Sequence, residues 1–351
     1  MAYGVRAICL ALMMIAAAAA SASANDSAAE LAAGGLVLVK TDAIAMQRED
    51  LTVSPAEVRV RYEMRNDSGQ PVTLRVAFPL PEVPSNSPDG MTVSAGTYNG
   101  IAIKPPTDPN FLDFHVSANG QALTPEVEIR AALPDGRDIT EGLRAIGGLP
   151  LVLQPGLFDA SSDKKLDAAT QARLKALGAF EQLDASTWRL PWVTHVTFHW
   201  TQTFAPGVTV IEHRYRPVLG FRLVVVDGDA KKPLTASGGE DPAKAFCIDA
   251  ATDTAIRAEG ARLKAAGTEA LSGFVLAYIL QTARNWRGAI GTFHLTVQGG
   301  PVAFDGQPRG AVKITSLCSD LPLARTGPQR FEATAPDYVP KADLKVLFIA
   351  D

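Results

Sequence analysis

His195 and His199 stand four residues apart, and on a helix this H-x-x-x-H spacing would set both imidazoles on one face at zinc-chelating distance. The run Val193-Thr194-His195-Val196-Thr197-Phe198-His199-Trp200, however, alternates in the manner of a strand. Four residues of strand span roughly 13 Å, too far for one ion. The reading is therefore histidines on the exposed face of a strand whose other face holds Val196, Phe198 and Trp200. No metal site is expected, and His213 or His294 would have to supply a third ligand if one existed. Nucleophilic catalysis has no G-x-S-x-G elbow to rest on. Asp and Glu fall singly in turns and on strand faces, so no glycosidase pair stands out. Gly34-Gly35 and Gly147-Gly148 lack phosphate-loop spacing and a following Lys, so no nucleotide or other cofactor is expected.

Aromatic and sulfur side chains give the remaining candidates. Trp188 and Trp192 flank Pro191 in a loop-like stretch where rigid indoles can stack on a sugar or seat a partner, so they are the candidates for ligand or partner contact. Trp200 and Trp286 read as packing residues. Asn285-Trp286-Arg287-Gly288 reads as a turn in which Trp anchors and Arg faces water. Cys247 and Cys318 are the two cysteines beyond the N-terminal segment, and in an oxidising compartment they are expected to be joined.

That compartment follows from the first residues. Arg6 supplies a positive start, Ala7 to Ile15 running on into Ala16 to Ala20 supplies an apolar stretch, and Ala22-Ser23-Ala24 ends it with small residues. This is the pattern of a secretory signal, with residues 1–24 removed and the remainder periplasmic or extracellular. Cys9 lies inside the apolar stretch and no cysteine follows the small residues, which argues against a lipid anchor. No later apolar run reaches the roughly 20 residues of a membrane span. A net charge of −4 without any basic block gives nucleic acid no footing.

The elements that must position these residues are mostly strands. Asp26 to Gly35 reads as a short helical stretch with a double-Gly stop. Val58-Arg59-Val60-Arg61-Tyr62-Glu63-Met64 alternates cleanly, and Ser54-Pro55-Ala56-Glu57 makes the hairpin before it. Val72 to Phe78 follows as a third strand of a meander. Helical spacing appears only near 166–183 and 253–271, the second with Asp253 as its cap. Many short strands punctuated by Gly and Pro predict a mainly β fold, sandwich-like antiparallel sheets with two inserted α-helices. The expected organisation is a first β region over 25–220 and a second over 221–351 that contains both cysteines.

Four blocks carry a resemblance. They are Asn25-Asp26-Ser27 with Gly34-Gly35-Leu36; Asp50-Leu51 through Val58-Arg59-Val60-Arg61-Tyr62 to Ala77-Phe78-Pro79-Leu80-Pro81; His213-Arg214-Tyr215-Arg216-Pro217 with Gly220; and Tyr278-Ile279-Leu280-Gln281-Thr282 continuing into Asn285-Trp286-Arg287-Gly288. Together they resemble the exported bacterial proteins of domain of unknown function 4424 (DUF4424), with Ala289 a departure where a Pro is expected. The resemblance implies export and architecture and no catalytic residues. The functional expectation is a non-catalytic protein binding an envelope protein or a glycan; the alternative is a periplasmic hydrolase whose site assembles only in the fold, through His213 or His294. Mass spectrometry of the exported protein should find Asn25 as the first residue, and an intact Met1 would contradict export.

Overall fold

The computed structural model describes residues 25–32, 35–84, 97–98, 101–102, 110–149, 151, 166–183, 188–227, 232–236, 241–268, 270–304, 307–327 and 329–350. The expected signal segment lies outside them. Alternating sequences build three large sheets. The first runs, in spatial order, Glu126–Ala132, Val193–Phe204, Val72–Pro79, Ser27–Ala32 and Gly35–Val39, with Val83–Pro84 beside Val193–Phe204. The second has eight strands, in the order Gln121–Leu123, His115–Ala118, Gly207–Tyr215, Val58–Asn66, Ile44–Val53, Ile290–Gln298, Arg330–Tyr338 and Ala324–Gly327. The third orders Thr235–Ala236, Gly220–Val225, Ala270–Tyr278, Leu344–Ala350, Gln307–Cys318 and Pro301–Phe304. The protein is mainly β, as the alternation predicts.

The sheets share one apolar core, to which Phe78 and Phe198 come from the first, Ile211 and Leu295 from the second, and Phe274 and Phe348 from the third. The pairing also crosses the boundary expected near residue 220. Ile290–Gln298 lies parallel to Ile44–Val53, so one sheet draws strands from both regions. Two smaller cores flank the main one. Helices Thr140–Ile146 and Ala168–Leu177 pack around Leu143, Leu174 and Trp192, while helix Ala250–Ala265 packs Ile256 against Val224, Leu271 and Ile349 of the third sheet.

Four local expectations change. Ser27–Ala32 is a strand, because residues 27–29 find open ladder positions on Val72–Pro79 and the rest pairs with Gly35–Val39. Tertiary pairing overrides the helix propensity of this Ala-rich run. Val72–Pro79 does not continue the meander: it leaves the sheet of Val58–Asn66 and pairs with Val193–Phe204 in the first sheet. The first helix is shorter than 166–183, capped by Asp167, whose side chain accepts from the Thr170 amide, and ended by Gly178 at φ +80°. The second begins at Asp249, which accepts from the Thr252 amide, rather than at Asp253, and Leu271 already belongs to the next strand. Helix Thr140–Ile146 gave no helical signal.

Among the described residues no helix is long and apolar enough to cross a membrane. Cys247 and Cys318 are joined by a disulfide, with Cα atoms 5.0 Å apart and a sequence separation of 71. The bridge ties the end of the third-sheet strand Gln307–Cys318 to Cys247, two residues before the Asp249 cap. Closing a loop of this length stabilises the fold by about 4 kcal/mol in the chain-entropy model. The double variant Cys247→Ala/Cys318→Ala should therefore unfold at a clearly lower urea concentration, and an unchanged midpoint would contradict that role.

Candidate functional site

Where the three sheets converge, the core is polar. Asn25, Asp26 and Ser27 are fully buried there, at the start of the strand that pairs Ser27 with Ala77. Every main-chain polar group of Asn25 and Asp26 has a partner. The Thr282 hydroxyl accepts from the Asn25 amide at 2.8 Å and donates to the Asn25 carbonyl at 2.9 Å. The Asp26 amide donates to Asn25 Oδ1 at 2.9 Å, and Trp286 Nε1 donates to the Asp26 carbonyl at 2.7 Å. Asn285 Nδ2 reaches Ser27 Oγ at 2.8 Å. The turn Gln281–Asn285 with Trp286 is thus a clamp on three residues more than 250 positions away in sequence.

The side chains complete the cluster. Asn25 Nδ2 donates to both Glu49 oxygens, at 3.1 and 3.2 Å, and its Oδ1 accepts from the Tyr62 hydroxyl, which lies 3.4 Å from that of Tyr278. Glu49 points inward because of a bulge. Ile44 and Met46 face the core, the register slips between Met46 and Arg48, and Glu49, Leu51 and Val53 face it thereafter. Arg48 is turned outward onto Asp50, its Nε 2.8 Å from Oδ2. Gly291 makes room for the bulge, since a Cβ there would lie 2.7 Å from the Gln47 carbonyl oxygen. Asp26 Oδ1 lies 3.3 Å from His213 Nε2, within ion-pair reach but not aligned as a hydrogen bond. Phe78, Phe114 and Tyr62 surround that imidazole, with ring centroids 4.7, 5.3 and 5.4 Å away.

Burial dominates the electrostatics. Loss of water pushes Glu49 up to about 8, Asp26 and Asp50 push the same way, and the Asn25 amide opposes them. Asp26 is raised by burial and partly restrained by His213. Tyr62 and Tyr278 are held well above the usual phenol range by burial. With Asn25, Glu49 and the His213 ring all at 0% exposure, no substrate reaches this cluster. It joins His213 to an acid, as the hydrolase alternative requires, but in closed core rather than in a pocket.

A cleft of about 600 Å³ opens next to it, on the outer face of the first sheet. Glu128 and Arg130 of one strand stand beside Thr197 and His195 of the next, in register. Leu36, Val37 and Leu38 form the opposite wall, held by the Leu36 amide donating to both Glu128 oxygens at 3.1 and 3.2 Å. Arg130 is fixed by Asp138, with Nε 2.9 Å from Oδ2, and His195 Nδ1 lies 3.9 Å from Glu82. Gln281, Thr282 and Asn285 line the cleft too, so the turn that clamps Asn25 also faces this cavity. A second depression, also about 600 Å³, lies over the eight-stranded sheet, where Arg61 is shared among Asp50, Glu63 and Glu212.

The predicted site residues lie elsewhere or apart. Trp192 is 1% exposed, with Nε1 donating to the Leu151 carbonyl at 3.2 Å, and it packs in the small helical core instead of facing a ligand. Trp188 is half-buried and stacked on Phe180 at 5.3 Å, and neither indole lines the cleft. Trp200 and Trp286 are core residues. His195 is in the cleft, His199 is buried beyond it with burial lowering its pKa, and His294 Nδ1 sits 3.7 Å from Asp50 on a different sheet. Among the described residues no three His, Cys, Asp or Glu are grouped to hold a metal. Asn25, Asp26, Glu49 and Thr282 were missed as a site. The one sequence signal was parity, since Leu51 and Val53 place Glu49 on the inner face.

The model of the family described as Domain of unknown function (DUF4424) matches residues 24–347. No curated protein matches the chain. Among solved structures, it is similar to a Legionella pneumophila protein provisionally described as a nutrient binding protein, with 12% identity, 93% of this chain and 72% of that one covered, and a TM-score of 0.37.

With residue 24 still joined to Asn25, Glu49 titrates near 8 folded and near 4.5 unfolded. The folded chain holds the proton more tightly, so this contribution is complete below about pH 4.5 and is lost as pH rises towards 8. Urea midpoints of that chain should fall across this window, and Glu49→Gln should flatten the slope. An equal slope in the variant would contradict the assignment.

Proposed function

The chain belongs to the DUF4424 family, and from that premise we propose that it is an exported, non-catalytic binding protein of the cell envelope. The cleft between the outer face of the first sheet and Leu36–Leu38 is its binding site. The observation that carries this reading is the way the cleft's polar groups are already committed. Glu128 is tied to the Leu36 amide, Arg130 to Asp138, and the Thr282 hydroxyl to both main-chain groups of Asn25. Groups held this way present fixed charge and fixed hydrogen-bonding edges, which suits recognition. A hydrolytic site instead needs a hydroxyl or water poised on a base.

The wall chemistry favours an occupant with a polar and an apolar side, a segment of an envelope protein or a glycan. Leu36, Val37, Leu38 and Pro79 offer apolar surface, and Arg130, Asp138 and His195 offer polar edges. Export is supported by the apolar first residues ending at Ala24 and by the Cys247–Cys318 bridge, which suits an oxidising compartment. The net charge of −4 disfavours nucleic acid.

The test is affinity capture from an envelope extract with C-terminally tagged protein, wild type beside His195→Trp, which fills the cleft. A component retained by wild type and reduced about tenfold or more by the variant, as a loss near 1.4 kcal/mol would give, is the expected result. Equal retention by both, or no protein or glycan retained by wild type, would contradict the reading.

A further inference from the structure

The buried cluster lacks a fixed positive charge among the described residues. It contains two carboxylates, Asp26 and Glu49, and one imidazole, His213, and among the described residues no Lys or Arg is among the groups acting on either acid. It is also short of donors. Glu49 takes its hydrogen bonds from a single amide group, Asn25 Nδ2, and Asp26 Oδ1 has no hydrogen bond at all. Both acids are buried, where an uncompensated carboxylate costs several kcal/mol. The Asn25 main-chain nitrogen belongs to the residue whose side chain holds Glu49, and its one N–H is spent on Thr282.

The geometry points to the α-ammonium of Asn25, released when the signal segment is removed, as the missing cation, with Glu49 as its counter-ion. Hydrolysis of the Ala24–Asn25 bond adds one water. The hydroxyl stays on the Ala24 carbonyl carbon, and the nitrogen becomes an amine that takes a further proton at neutral pH. The amide's one donor becomes three. One continues to serve Thr282, and two are new, available to the acids that lack donors. Cleavage thereby turns a buried acid without a cation into a buried, hydrogen-bonded ion pair, the arrangement in which a buried charge is tolerated. Because Thr282 and Asn285 also line the cleft and Ser27–Ala32 leads into the wall strand Gly35–Val39, docking of the new terminus fixes the cleft as well.

This inference rests on the export reading but not on the binding reading, and its test leaves ligands out. A chain released from a fusion so that Asn25 is its first residue is compared with one carrying Gly-Ser ahead of Asn25, each with Glu49 and with Glu49→Gln. The chain beginning at Asn25 should melt about 5–10 °C higher than the extended one. Glu49→Gln should lower the melting temperature of the first, by stranding the ammonium, and leave unchanged or raise that of the second, by removing an uncompensated acid. The same sign and size of effect in both chains would overturn the proposal. Should the extended chain fail to fold, amine acylation decides: the α-amine of the folded chain beginning at Asn25 should react at least about tenfold more slowly than after unfolding, and equal rates would overturn it. If the exported protein begins at another residue, the cation has no source and the proposal falls, whatever the capture experiment returns.

Discussion

Two acids buried where three β-sheets meet, with no Lys or Arg among the described residues acting on them, set the terms for the rest of this structure. Asp26 and Glu49 come from the first and second sheets' strands or their approaches, His213 from the second, and Tyr278 from the third. Apolar packing alone would let these sheets slide or repack with small losses. A polar cluster whose main-chain and amide groups each have one partner permits a single arrangement, because any shift leaves a buried donor or acceptor unpaired. The bulge at Gln47, the close approach of the Gln47 carbonyl to Gly291 and the outward turn of Arg48 together bring Glu49 to that point.

The same cluster links the interior to the cleft. Asn25 is held by Thr282, Ser27 by Asn285, and both clamp residues face the cavity. The strand after Asn25 turns back as Gly35–Val39, whose Leu36 amide crosses to Glu128. Seating of Asn25 to Ser27 therefore positions two sides of the cleft through covalent continuity and hydrogen bonds.

Much of the fold was legible in the sequence. Period-two alternation in Val58 to Met64 and Val193 to Trp200 gave strands with the faces observed, since Val60, Tyr62 and Met64 are buried, as are Val196, Phe198 and Trp200. The Ser54–Glu57 turn is closed by the Ser54 amide donating to the Glu57 carbonyl at 3.0 Å. The cysteine pair followed from compartment logic. What was not legible depends on contacts across the chain. Nothing local makes Ser27–Ala32 a strand except the open edge of Val72–Pro79, and nothing local distinguishes Trp192, buried under two short helices, from an indole on display. The site was hidden for the same reason. Its members come from positions 25, 49, 62, 213, 278 and 282, and only Glu49's parity with Leu51 and Val53 hinted that an acid turns inward.

The most direct measurement of the central claim is a high-resolution crystal structure of the protein recovered from the envelope after processing. The account predicts an Asn25 nitrogen with three partners, Thr282 Oγ1 and carboxylate oxygens that include Glu49, each at about 2.8–3.0 Å. An Asn25 amine outside the cluster, with Glu49 paired to some other cation or facing an ordered water in its place, would contradict it.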